Sequence, residues 1–322
     1  MPQFPSTLLA LALAANAGLA AAQAYPSKPI RLIIPFPPGG PTDIFGRMVA
    51  QQLSESFKQQ VIADNRPGAG GNIGVELAAK APPDGYTLTS YTVAQSIAPG
   101  IYRKLSFDPV KDFAHISLIA TVPSVLMIHP SLPAKNVKEL IAIAKARPDE
   151  LTYASTGNGT SPHMLMEMFK WMTGTKMVHV PYKGAAPALI DQIAGQVVVA
   201  FNSAVGALPH ARGGKLRALA VSTENRFSAM PELPTVAEAG VKGFSGSSWQ
   251  GIVAPAGTPQ EILNRVHAEV VKMLQKPEQR ERIVNVLGGI PVGNTPAEFR
   301  SYVAAEVAKW DKVAKAANIT IN

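Results

Sequence analysis

At 322 residues the chain is too long for one ordinary domain and suits about two. Its composition, 47% hydrophobic and 16% charged, is that of a core-forming chain, and the absence of cysteine excludes disulfides, thiolate metal sites and cysteine nucleophiles together. The formal charge of +8, from 30 Lys and Arg against 22 Asp and Glu, is scattered without an aromatic–basic stripe; that points away from nucleic acid and toward a positive field for anionic solutes.

Residues 1–24, MPQFPSTLLALALAANAGLAAAQA, hold an apolar stretch from Leu8 and end in Ala22-Gln23-Ala24, an export leader with cleavage expected after Ala24. The stretch carries no Lys or Arg ahead of it. It is too short, too rich in Ala and too poorly anchored for a membrane span. From there strand and helix alternate: a strand over 29–36, a helix over 42–57, a short strand over 60–64, a glycine loop over 65–74 opening a helix to about residue 80, and a strand over 86–91. This is a parallel α/β pattern. Residues 117–128 read as one long extended segment.

A second unit repeats the layout. Asn136 and Glu139 cap a helix carrying Leu140 and Ile143. Strands are expected over 151–154, 176–180, 197–201 and 218–222, with helices over 163–173 and 186–194. A strand over 251–254 follows Trp249. Two long helices end the chain, from Thr258-Pro259-Gln260-Glu261 and Thr295-Pro296-Ala297-Glu298, each read with Thr at N-cap, Pro at N1 and Glu at N3. Their apolar faces are expected to cover the first unit's sheet, which makes that unit discontinuous.

Three loops carry candidate chemistry. PFPPGGPTD, residues 35–43, fixes its backbone with Pro37 and Pro38, bares it at Gly39 and Gly40, and offers Thr42 or Asp43 as a cap. Free N–H groups at such a helix start favour an anion, although no GKS or GKT follows to make a P-loop. STGNGTS, residues 155–161, sets four hydroxyls before Pro162 and His163, as polar solute recognition requires. GxSxG is absent, and a base two residues from Ser161 in sequence points elsewhere, so hydrolysis by Ser155 or Ser161 with His163 is disfavoured. The dinucleotide fingerprint is absent too. In VPYKGA, Tyr182 either meets a ligand or is a partly buried tyrosine, Lys183 either balances ligand charge or is solvated, and the backbone of Gly184 and Ala185 at a helix start is the firmer candidate. The six histidines show no metal-ligand spacing; His179 and His267 are read as structural.

IRLIIPFPPGGPTDIFGR, VIADNRPGAGGNIG, PPDGYTL, YASTGNGTSPH, HVPYKGAAPAL, LPTVAEAG and SWQGIVAPAGTP occur in this order, and the combination resembles the Bug proteins. These are the TctC-type extracytoplasmic solute receptors of tripartite tricarboxylate transporters. The resemblance covers nearly all of residues 25–322. It implies an α/β, type II periplasmic-binding-protein fold, two domains joined by two crossing strands with a ligand cleft between: 25–126 plus 248–322, and 127–247. It implies a small carboxylate ligand held largely by backbone groups and water, delivery to transporter membrane subunits, a periplasmic location, a monomer, no cofactor and no catalysis. Carried over by position, Phe36, Pro37, Gly39 and Thr42 form one jaw. Ser155, Thr156, Gly159, Thr160 and His163 form the other, beside Pro181, Tyr182, Lys183, Gly184 and Ala185. Thr92 follows the third strand nearby, and Asn202 falls where relatives often carry Asp, which argues against an amine ligand. A ligand sensor docking on a signalling partner shares the same chemistry, and an exported serine hydrolase is the remaining alternative.

Overall fold

Ile30–Ile34 (β1) is buried along nearly its whole length, as a run of branched side chains requires when helices cover both faces of a sheet. It pairs in parallel with Val61–Asn65 (β2) and with Thr87–Thr92 (β3). Pro41–Phe57 (α1) and Asn72–Ala79 (α2) make the crossovers. The computed structural model describes residues 25–228 and 230–321; the expected leader and its cleavage point lie outside them. Val93–Ile101 (α3) follows β3 directly, a helix absent from the sequence reading.

The extended segment expected over 117–128 is two strands in two different sheets. Phe113–Val122 (β4) belongs to the first and Ser124–Ile128 (β5) to the second, with Pro123 between them. The change of sheet therefore falls ahead of the 126/127 division expected from the sequence. The second sheet contains Thr152–Ser155 (β6), Val178–Pro181 (β7), Val199–Ser203 (β8) and Arg217–Val221 (β9) in the order β7-β6-β8-β5-β9. Val137–Ala146 (α4), Ser161–Thr173 (α5), Ala185–Ile193 (α6) and Ala204–Arg212 (α7) connect its strands. The Asn136 side chain caps α4 by accepting from Glu139 N–H at 2.9 Å.

The chain then returns. Ser248–Pro255 (β10) enters the first sheet between β3 and β4, antiparallel to both, and Ile290–Pro291 (β11) adds at the edge, giving β11-β4-β10-β3-β1-β2. Two links thus join the lobes, and Ser222 ties them together. Its N–H donates to the Ser124 carbonyl at 2.8 Å, its Oγ accepts from Ser124 N–H at 3.1 Å, and its carbonyl accepts from Gly246 N–H at 2.9 Å.

Gln260–Gln275 (α8) lays Leu263, Val266, Val270 and Met273 on the face formed by Ile30, Leu32 and Ile252. After the short Pro277–Glu281 (α9), Pro296–Ala316 (α10) covers the opposite face through Phe299, Val303 and Trp310. Gly251 is needed there, because a Cβ would stand 2.2 Å from Phe299 Cζ. At the junction of the lobes Gly246 plays the same part, with Leu165 Cδ2 of α5 at 2.7 Å and Trp310 of α10 at 3.3 Å from the place of its Cβ. One apolar core therefore runs from α10 into the second lobe. The twin helix starts differ. Thr295 makes the full capping box with Glu298, whereas α8 begins at Gln260 after Pro259, and Thr258 instead donates to the Pro255 carbonyl at 2.8 Å.

Candidate functional site

The loop between β1 and α1 ends at Gly40, the N-cap, with Pro41 in the first turn and no side-chain cap; the cap expected from Thr42 or Asp43 is not formed. Asp43 instead reaches back and accepts from Gly39 N–H at 2.9 Å, while Arg47 Nε and Asn65 Nδ2 each donate to it at 2.9 Å. Burial pushes the Asp43 carboxyl up, but these hydrogen bonds outweigh it and hold it below the usual carboxylate range. The N–H of Gly39 is thereby spent. Pro41 has none, so the helical N–H donors left at this start are those of Thr42 and Asp43, which have no acceptor one turn earlier in the helix. Pro37 and Gly39 are exposed, and Thr42 is buried behind them.

Phe36 closes the base of this loop. Its carbonyl accepts from Asn65 Nδ2 at 2.9 Å, and its ring lies 3.1 Å from where a Cβ of Gly71 would stand. Gln95 Nε2 lies 3.0 Å from the same point. The Thr92 hydroxyl belongs to the capping box of α3: Gln95 Oε1 accepts from Thr92 N–H and Oγ1, both at 3.0 Å. Thr92 N–H can only donate, which fixes the Gln95 amide and leaves its buried Nε2 without a partner among the described residues. No loop motif singles out Gln95; the signal that could have found it is the Thr92-x-x-Gln95 capping box that opens α3.

In the second lobe β6 and β7 run side by side with Ser155 opposite Pro181, which brings the STGNGTS and VPYKGA loops together. Tyr182 N–H donates to the Ser155 carbonyl at 3.0 Å. Ser155 is buried, and its Oγ lies 2.6 Å from His179 Nε2 while accepting from Gly157 N–H at 3.2 Å. Its imidazole partner is thus His179, not His163. Thr160 is the N-cap of α5 without a side-chain cap bond; its hydroxyl donates to the Gly157 carbonyl at 2.7 Å. Gly159 N–H donates to His163 Nδ1 at 3.1 Å. Against these engaged groups, Ser161 Oγ is buried at the first position of α5 and has no partner among the described residues. Pro162 withholds an N–H, so the helical donors left here are the N–H groups of Ser161 and His163.

His163 and His179 stack with ring centroids 4.1 Å apart, and His179 stacks on Tyr153 at 4.8 Å. Burial pushes both imidazoles down to about 4, with the neighbouring His179 adding to the effect at His163. The Tyr182 hydroxyl donates to Asp191 at 2.8 Å, and burial followed by that carboxylate pushes it up to about 12. Lys183 and Ala185 are exposed, and Gly184 caps α6 from φ +115° with open space around it. Asn202 lies within β8 opposite Val125 rather than after the strand, and donates to Gln192 Oε1 at 2.7 Å. Thr156 is half-buried beside Gly157.

The lobes meet beside this loop. A Cβ on Gly159 would stand 2.5 Å from Ile101 Cδ1, at the end of α3, and 3.5 Å from Ile321 Cδ1. The α1 and α5 starts thus belong to loops of two different sheets, each with uncommitted N–H donors.

A family described as "Tripartite tricarboxylate transporter family receptor" matches residues 45–319. Protein BugT of Bordetella pertussis is 37% identical over 306 residues, covering 94% of this chain and 94% of that protein. Among solved structures, R. palustris Rpa4515 with adipate is 38% identical at TM-score 0.82, covering 92% of this chain and 100% of that one. The periplasmic binding protein BugD is 31% identical at TM-score 0.80, covering 92% and 100%. The two-lobed α/β architecture is that of the type II periplasmic binding proteins.

Proposed function

The chain belongs to the tripartite tricarboxylate transporter receptor family, a family of solute-binding receptors, and from that premise we propose that it captures a small carboxylate in the cleft and delivers it to the membrane subunits of such a transporter. One observation carries the reading: α1 and α5 each begin with N–H donors unused within the helix, and α5 adds the orphaned hydroxyl of Ser161. Helix starts favour anions, and a carboxylate satisfies buried donors that water would otherwise have to fill. Rpa4515 holds adipate, a dicarboxylate with one charged group for each of two such sites.

The protein acts without catalysis, as a monomer in the periplasm and without a cofactor. The Ser155–His179 pair supports a binding role, since the hydroxyl is buried and engaged with Gly157 as well as with the imidazole. The lobes are residues 25–126 with 248–322, and 127–247, refined at the first link to the change of sheet at Pro123. Phe36, Pro37, Gly39 and Thr42 line the cleft from the first lobe, with Gln95 beneath them; the STGNGTS and VPYKGA loops line it from the second.

Calorimetry with adipate and shorter dicarboxylates tests this, with the solute recovered and identified afterwards. Ser161→Ala should weaken binding roughly tenfold, the effect of one lost hydrogen bond to a charged group. No binding across the series would refute the carboxylate reading, and chemically altered solute would refute the absence of catalysis.

A further inference from the structure

Gly159 is the turn of the second-lobe loop that touches the first lobe at Ile101. Its backbone is left-handed, at φ +72°, a conformation in which glycine has several neighbouring turns open to it. Its N–H is spent inside the lobe, on His163 Nδ1 at 3.1 Å, and that bond selects one turn among them. The acceptor is itself held fast. His163 stacks on His179 within 15° of parallel, His179 stacks on Tyr153 within 13°, the Tyr153 hydroxyl is bound to Glu167, and Glu167 takes Lys170 Nζ at 2.6 Å.

The geometry points to His163 as a positioning residue: its unprotonated Nδ1 sets the turn at Gly159 against which the first lobe rests, and so shapes the loop that, on the receptor reading, holds the solute. An imidazole in this place must be protonated at Nε2 alone. A second proton, on Nδ1, would abolish the acceptor and oppose two donors, and the hydrogen bond from Gly159 would be lost.

The surroundings keep the ring neutral. His179 on β7, Tyr153 on β6, and Glu167 and Lys170 on α5 are the titratable groups around it. On the far side of α5, α10 brings Glu306, which is bound to Trp249, Trp310 and Lys309, and Lys312, which lies over Trp171. Two rings 4.1 Å apart do not both take a charge, and burial holds His163 at about 4, so the acceptor persists through neutral pH and disappears on acidification.

The test uses the full protein without solute. Hydrogen exchange of residues 155–160 is followed in the wild type, in His163→Phe, which keeps a ring and loses the acceptor, and in His163→Asn, whose Oδ1 takes the place of Nδ1. The phenylalanine should speed exchange of the loop by about tenfold or more, and asparagine should restore most of the protection. Wild-type protection, corrected for intrinsic rates, should fall as pH is lowered through about 4. Nitrogen resonances of the wild-type ring should show an unprotonated Nδ1 at neutral pH. A loop equally protected in His163→Phe, or a proton on wild-type Nδ1, overturns the assignment, and the second readout decides even if His163→Phe does not fold. Adipate calorimetry on the same samples separates the two claims. Wild type that binds no dicarboxylate, with a loop that follows His163, removes the receptor reading alone; binding with an indifferent loop removes only the role of His163.

Discussion

His115, His163 and His179 are held neutral in the folded chain, each pushed down to about 4 with burial as the leading cause. Once unfolded, each takes up a proton near its ordinary value, so between about pH 6.5 and 4 the unfolded chain binds protons that the folded one refuses. Stability is therefore full above the upper limit and lost as pH falls across that window. His115, buried against Tyr91 and Phe299, contributes roughly 3 kcal/mol of that loss. The urea midpoint should drop from pH 7 to pH 4.5, and His115→Phe should flatten part of the slope; a midpoint constant over that range would contradict the assignment of three neutral imidazoles. At this scale the glycines and prolines of the two loops were legible in the sequence, because their backbone chemistry is local. The partner of Ser155 was not. His179 comes beside it through the pairing of β6 with β7, where Tyr153 stands opposite His179, and no spacing along the chain records that register.

Among the elements, α10 carries the heaviest duty. Glu306 accepts from the indole N–H groups of both Trp249 and Trp310, at 3.1 and 3.0 Å, beneath a surface that leaves it 6% exposed. Glu306→Ala would strand two buried donors and should cost about 2–5 kcal/mol in urea unfolding, with Glu306→Gln milder because it keeps an acceptor. A loss below 1 kcal/mol would mean that water reaches the two indoles. The start of α10 was readable from Thr295 and Glu298, since a capping box is closed by its own four residues. The same letters at Thr258 misled, because that hydroxyl turns back to Pro255. The helix α3 has a weaker local signature, since it carries Pro99 inside it and Gly100 near its end; Gly100 is what lets α3 lie on α10, where a Cβ would stand 3.0 Å from Asp311 Cα. Tertiary contact overrode local propensity.

For the whole molecule, the two links, at Pro123–Ser124 and at Gly246, are tied together through Ser222, and rotation of the lobes about that line is the motion expected on binding. A solute bound by both lobes favours the closed arrangement by its differential affinity for it. Small-angle scattering should give a smaller radius of gyration with saturating adipate than without it. Superimposable curves, with binding confirmed by calorimetry, would make the cleft a preformed pocket. The repeated plan of strand, bare loop and helix was legible in both halves, since periodicity and turn chemistry are local properties. The reversed direction of β10 was not, because it depends on where the chain comes from when it returns. That late return also sets an order of assembly. β10 lies between β3 and β4, and among the described residues it alone bridges them across the first sheet. A chain that has emerged up to residue 247 has supplied every strand of the second sheet, while the first is still split into two unjoined pieces. The lobe that begins first is finished last, and its early strands must wait with bare edges until the final quarter of the chain arrives to close them.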